Sequence, residues 1–275
     1  MMQLKYRIKR LRQQRGFTIL EVLVAALIAS FAVAAGMKVL INQNQNHIIQ
    51  AGVTEMQQNG RAVVDELVEK IRQAGYRLQP GILSLTAWNA NPDTIAIVFM
   101  AEPLCTASLS IAMSSPTADV TCEDADLSGF KPNTWAYIYD AVKDSGEYFY
   151  VTDVDEGAGE LQHSTGSLSK SYPLNAKVYM LDFYKYYIDA SDTLSPKFVM
   201  EKNGGDPVIY ADNICDLQFR YTMANGAVYD TIAVDRYVRE VLIEVVTRTE
   251  RSDLFVGDFR YDTLRSSAMV RNLTM

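Results

Sequence analysis

Arg15-Gly16-Phe17-Thr18-Ile19-Leu20-Glu21 sets a glycine, and five positions later a lone carboxylate, at the mouth of an apolar run from Val22 to Met37. A carboxylate carried to the centre of a bilayer costs about 2.5–3.5 kcal/mol on insertion scales unless it is paired or lies near the interface. Glu21 is therefore expected to have a specific partner.

Ahead of the run stands a short basic leader. Residues 1–16 hold Lys5, Arg7, Lys9, Arg10, Arg12 and Arg15 and no acid, so the positive-inside bias keeps this end in the cytoplasm. A secretory signal places its small-residue cleavage site after the apolar segment, and Ala32 to Gly36 invites that reading. Here Gly16 precedes the segment.

Gly16-Phe17-Thr18-Ile19-Leu20-Glu21 resembles the cleavage and methylation motif of type IV prepilins and of the pseudopilins of type II secretion. The resemblance implies that a membrane-embedded prepilin peptidase cuts between Gly16 and Phe17 and methylates the new amino terminus on Phe17. It also implies an assembly role for Glu21, whose carboxylate pairs with such an amine on a neighbouring subunit. A buried carboxylate matched to an incoming cation offsets its desolvation and favours the docked register.

The balance of charge suits an exported, anchored protein. The formal charge of the whole chain is −7, and subtracting the six basic side chains of the leader leaves −13 for the mature side chains. An acidic ectodomain argues against general binding of DNA or RNA. The length leaves room for one or two ordinary domains beyond a single membrane anchor.

No proline occurs between the leader and Pro80, and helical signals continue past Lys38 through the polar stretch Asn42 to Gln50. One helix is expected from about Phe17 to Ala74. Its second half places Ile49, Val53, Met56, Val63, Leu67, Ile71 and Ala74 at steps of mostly three and four, which gathers one apolar stripe to lie against a globular domain. Gly36, Gly52 and Gly60 read as its weak points, each costing on the order of 1 kcal/mol relative to alanine. Gly75 reads as the stop.

Beyond Pro80, short β-branched and aromatic runs are bounded by Gly, Pro, Asn and Asp. The expected strands are Thr94 to Met100, Thr134 to Asp140, Glu147 to Val154, Lys177 to Ile188, Phe198 to Glu201, Ile214 to Tyr221, Ala227 to Val234 and Tyr237 to Thr249. Asn203-Gly204-Gly205 and Asn225-Gly226 are the expected turns. The fold class is thus α+β: a basic leader (1–16), a transmembrane and filament-core helix (17–38), its amphipathic continuation (39–79) and a β-rich extracytoplasmic domain (80–275).

Four further strings are similar to those of PilW-type minor pilins: Arg72-Gln73-Ala74-Gly75-Tyr76, Tyr186-Tyr187-Ile188-Asp189, Asp212 through Tyr221, and Arg271-Asn272. That resemblance implies a minor pilin that primes or caps a type IV pilus. Its implied partners are the prepilin peptidase, other minor pilins, the major pilin, the inner-membrane assembly platform and the lipid membrane. It places the chain first in the inner membrane, with its ectodomain outside the cytoplasm, and then in a filament. A minor pseudopilin of type II secretion is the alternative of the same class, and a membrane-anchored adhesin is the alternative of another. Residues 80–176 match none of these strings and are where specificity is expected.

Catalytic and metal chemistry find little support. Cys105 and Cys122 flank a polar loop and form a candidate disulfide in an exported protein, while Cys215 alternates with apolar neighbours as a buried thiol would. Asp153, Asp155, Glu160 and His163 crowd one loop, yet counted from Asp153 an EF-hand would need ligands where Gly157 and Ser164 stand and a glycine where Ala158 stands. That loop reads as a solvated hairpin turn. The only histidines are His47 and His163, and His163 beside Ser164 is adjacency in sequence, not a triad. No enzyme activity, metal or cofactor is expected, and the aromatic strings Tyr137 to Tyr139, Tyr148 to Tyr150 and Tyr184 to Tyr187 read as sheet packing.

Overall fold

The computed structural model describes residues 16–78, 82–100, 106–122, 127–164, 166, 168–232, 235–253 and 257–272. One α-helix, α1, runs Ile19–Gln73, and the chain divides between Ala51 and Gly52 into two compact units.

In the first unit the helix is exposed throughout its apolar stretch, from Ile19 to Ile41. Its most apolar window has a mean hydropathy of 2.3 and buries nothing, so α1 is long and apolar enough to cross a membrane.

In the second unit the helix becomes amphipathic and is covered. Met56, Gly60, Val63, Val64, Leu67 and Ile71 are buried, which reproduces most of the expected stripe and adds Gly60 and Val64 to it. The tyrosine hydroxyls of Tyr186 and Tyr210 donate to Glu66, at 2.6 and 3.4 Å, and the Lys70 ammonium lies 4.5 Å from the centre of the Tyr184 ring. Burial, and then the hydrogen bond to Glu66, push the Tyr186 hydroxyl well above the ordinary tyrosine range.

Gly60 corrects the expectation of a weak point. A methyl group at this position would sit 2.7 Å from Leu264 Cδ1 and 2.8 Å from Thr247 Cγ2, so the missing side chain is what lets helix and sheet approach. Gly52 has only ordinary space around it, with Thr249 Cγ2 at 3.9 Å, and Gly36 has nothing within 4 Å.

The strands are β1 (Leu85–Trp88), β2 (Thr94–Met100), β3 (Thr106–Ser108), β4 (Val120–Thr121), β5 (Thr134–Asp140), β6 (Ser145–Asp155) and β7 (Glu160–His163). They continue with β8 (Lys177–Asp189), β9 (Lys197–Lys202), β10 (Val208–Asp212), β11 (Ile214–Met223), β12 (Val228–Tyr229), β13 (Val238–Arg248) and β14 (Tyr261–Met269). Seven of the eight expected strands match within about three residues at their ends. The eighth, Ala227 to Val234, shrinks to the two residues of β12, because Asp235 is drawn away to accept from the Ser84 amide and hydroxyl at 2.6 and 2.9 Å. Ala233 and Val234 lie outside the described residues.

Strand β8 organises the larger sheet because its two halves have different neighbours. Tyr184–Asp189 pairs with β9, and Leu181–Tyr186 with β2, which carries β1 on its far side. The first half pairs instead with β3 on one side and β5 on the other.

From β5 the ladder continues through β6, β7 and β4, and a bridge between Cys122 and Leu109 joins it back to the chain leaving β3. Among the described residues a ring of six strands results, closed by that bridge, and closure protects most of its edges. Alternate residues point inward as the period of two requires: Ala107 and Leu109, Ala136 and Ile138, Phe149 and Val151, Val178 and Met180 all belong to one buried cluster. The bore is packed with side chains, as is usual for a small barrel.

The second sheet is antiparallel in the order β12-β11-β13-β14. Its inner residues, including Leu217, Phe219, Val241, Ile243 and Val245, share a core with α1 and with β2, β8 and β9. Asp93 stitches the two sheets together. Its buried carboxylate accepts from the amides of Phe219 and Ala90, at 2.8 and 2.9 Å, and its own amide donates to Leu217 at 2.8 Å.

Candidate processing and assembly site

The site is the start of α1, and its geometry follows from four residues. Gly16 has no atom within 4 Å of where a side chain would begin, and Phe17 is 87% exposed. Thr18 ends the extended segment. The helix proper then opens with Ile19.

The first amides of a helix lack intrahelical acceptors. Here Thr18 and Glu21 supply them reciprocally: the Glu21 amide donates to Thr18 Oγ1 at 3.2 Å, and the Thr18 amide donates to Glu21 Oε2 at 3.0 Å. The Thr18 hydroxyl also donates to Glu21 Oε2 at 3.1 Å. This is a capping box, with Thr18 as N-cap and Glu21 as third helical residue. The pattern Thr-x-x-Glu ahead of an apolar run is the sequence signature of such a box.

The carboxylate thus has a partner within its own chain. A negative charge in the first turn also complements the positive end of the helix dipole. Cleavage after Gly16, the event expected from the sequence, would leave both members of the box on the mature chain. It would also create a cation one residue before the cap, at the end where the dipole is unfavourable to positive charge.

The other sequence candidates lie elsewhere. Cys122 is buried inside the barrel, where desolvation pushes its thiol up to about 11. Cys105, its candidate disulfide partner, falls outside the described residues. The thiol of Cys215 is also raised, by desolvation, against the opposing effect of Arg248. Asp153, Asp155 and Glu160 belong to the hairpin of β6 and β7. His163 is buried at its end, with Nε2 3.0 Å from the Ala118 carbonyl and Nδ1 3.1 Å from that of Ser164. On β5 and β6 the Trp135 ring packs edge-on against Tyr150, and the Tyr137 ring edge-on against Tyr148.

At the far end of α1 the chain terminus acts on the helix. Gly75 takes a positive φ of 75° and donates to the Val98 carbonyl, and the Met100 amide donates to Tyr76, so the helix end joins the edge of β2. The side-chain amide of Asn272 donates to the carbonyls of Arg72, Gln73 and Ala74 at 3.2–3.4 Å. Carbonyls of the last turn, orphaned by the end of the helix, are satisfied from about two hundred residues away. Spacing along the chain gives no signal for such a cap.

Residues 11–37 match the family model described as the prokaryotic N-terminal methylation motif. The match bears out the type IV prepilin-like reading of this end of the chain. Among solved structures, the type IV-like pilin TTHA1219 from Thermus thermophilus aligns with a TM-score of 0.40 and 9% identity, over 81% of this chain and 98% of that one. No curated protein matches.

Proposed function

We propose that this chain is a processed subunit of a type IV pilus-like filament, and within that class a PilW-type minor pilin that primes or caps the fibre. The observation that carries the reading is the methylation motif of residues 11–37, seated on the exposed apolar start of α1 with Glu21 in its first turn. The helix inserts in the inner membrane with the basic leader inside. Prepilin peptidase cuts between Gly16 and Phe17 and methylates Phe17, and the ectodomain stands outside the cytoplasm.

Assembly then follows from what the first unit lacks. An apolar helix surface of this extent is covered either by lipid or by other helices of its kind, and sibling minor pilins and the major pilin supply them. The assembly platform in the inner membrane lifts the subunit from the first environment to the second. Glu21 reads the register of this transfer, because its carboxylate meets the methylated amine of a neighbour. The chain contributes structure to the filament, and no catalytic step is assigned to it.

Replacement of Glu21 by alanine tests the reading. Insertion and leader removal are expected to persist in E21A cells, while the share of the chain recovered with sheared filaments falls at least tenfold. Undiminished recovery would sink the proposed role of Glu21, and a wild-type chain absent from filaments would sink the function itself.

A further inference from the structure

Among the described residues most edges of the two sheets are guarded. In the barrel, Ser145–Tyr150 of β6 pairs with β5 alone, and on it Glu147 accepts from the Ser169 amide and Ser145 from the Lys170 ammonium. Strand β1 offers four residues and β12 two, and β10 is interrupted by a bulge between Ile209 and Ala211. The outer edge of β11 is occupied by Asp93. Such short, bulged or covered edges are the usual defences against strand addition. Strand β14 has none of them. It runs nine residues in unbroken register with β13, contains no proline or lysine, and among the described residues has no neighbour on its other side.

The direction of its free groups follows from two bonds at the ends of the ladder. Thr249 donates to Arg260, and Val270 donates to Arg239. In an antiparallel pair the bonded residues alternate, so the even positions of β14 bond to β13. The odd positions, Tyr261, Thr263, Arg265, Ser267 and Met269, therefore turn their amides and carbonyls outward. The amide of Thr263 is held meanwhile by the neighbouring Asp262 carboxylate at 2.9 Å.

We infer that β14 is a self-association edge, on which a second copy of this chain adds its own β14 antiparallel across a two-fold axis at Arg265. That register alone engages all five outward residues at once. It also matches their side chains: Tyr261 of one protomer faces Met269 of its partner, and Thr263 faces Ser267. Tyr261 and Met269 are the exposed large apolar residues of the strand, at 54% and 66% exposure. Cross-strand pairs of these kinds stabilise antiparallel ladders, and a two-fold contact requires self-complementarity of this form.

The one conflict in the register is answered within each protomer. Arg265 meets Arg265 on the axis, but each guanidinium already donates to Glu244 of its own chain at 2.7 Å. The local charge is neutralised before the strands meet. The inference concerns the ectodomain and stands whatever filament the anchor enters.

The test uses the full chain in detergent micelles, with native mass spectrometry for stoichiometry and a photo-crosslinking residue at Thr263. A dimer is expected, with the crosslink mapping to the peptide around Ser267 of the second copy. Ser267→Pro removes an outward amide without touching the ladder to β13, a placement edge strands tolerate, and it should weaken dimerisation at least tenfold. Ser267→Lys should do the same through edge repulsion, which covers failure of the proline variant to fold. A monomeric wild-type chain, a dimer indifferent to both substitutions, or a crosslink to another peptide or another protein each overturns the inference.

Discussion

Glu21 can serve two partners, and they make different demands on it. The Thr18 cap needs an acceptor at the third helical position, which glutamine supplies as well as glutamate does. Pairing with an amine needs the charge. Three substitutions therefore separate the roles. Glu21→Gln should keep the helix start, read as amide exchange protection at residues 19–22, and still lose filament incorporation to the same degree as Glu21→Ala. Thr18→Ala should fray the start by about 1 kcal/mol yet retain much of its incorporation. Wild-type incorporation of the glutamine variant would leave capping as the whole role of Glu21.

Two helix glycines make opposite predictions for the same change. At Gly52 the space is ordinary, so Gly52→Ala should raise stability by about 0.5–1 kcal/mol, the propensity difference. At Gly60 the added methyl meets Leu264 and Thr247 well inside contact distance, and overpacking of this kind costs about 1–3 kcal/mol. Gly60→Ala should lower the thermal midpoint despite its better helix propensity. Equal responses at the two sites would show that propensity alone governs this helix.

At the scale of elements, the helix end depends on a residue of the opposite terminus. Asn272→Ala strips the Asn272 donor from three carbonyls, a loss worth about 1 kcal/mol. Hydrogen exchange should accelerate at the amides of Ala74 to Tyr76 and leave the barrel strands unchanged. Asp93→Ala is expected to cost more, about 2–3 kcal/mol, because it leaves the Phe219 and Ala90 amides without their acceptor in a buried joint. Chemical denaturation reads that difference, and a cost for Asp93→Ala no greater than that for Asn272→Ala would contradict the stitching role.

What could be read from the sequence divides along the same physical line. Helix α1 and strands β2, β5, β8, β11 and β13 declare themselves because they bury a face, and burial imposes a period on the residues. Strand β14 gives no strand signal because its sequence Tyr-Asp-Thr-Leu-Arg-Ser-Ser-Ala-Met lacks the β-branched and aromatic density that marks a strand. Strands β3 and β4 are too short to show any period. The notch at Gly60, the Asn272 cap and the ring closure between Leu109 and Cys122 are contacts across long stretches of chain, and local pattern carries no trace of them. The Thr18 and Glu21 cap is the contrary case, legible in four letters.

At the scale of the whole molecule, an exposed apolar start and a closed, well-packed β-rich unit are joined in one chain. The first is long and apolar enough to cross a membrane. The second holds the barrel and the stitched sheets around its own buried clusters. Residues 80–176, which match none of the PilW-like strings, contribute most of the barrel strands, and partner choice is expected to reside there.

The function proposed for this chain depends on processing between Gly16 and Phe17. Mass spectrometry of the amino-terminal peptide, taken from protein recovered from the membranes of its own cells, tests it most directly. A chain that begins at Phe17 and carries a methyl group on its amine is expected. A chain that still begins at Met1, or one cut after Gly36 at the end of the apolar run, would contradict it.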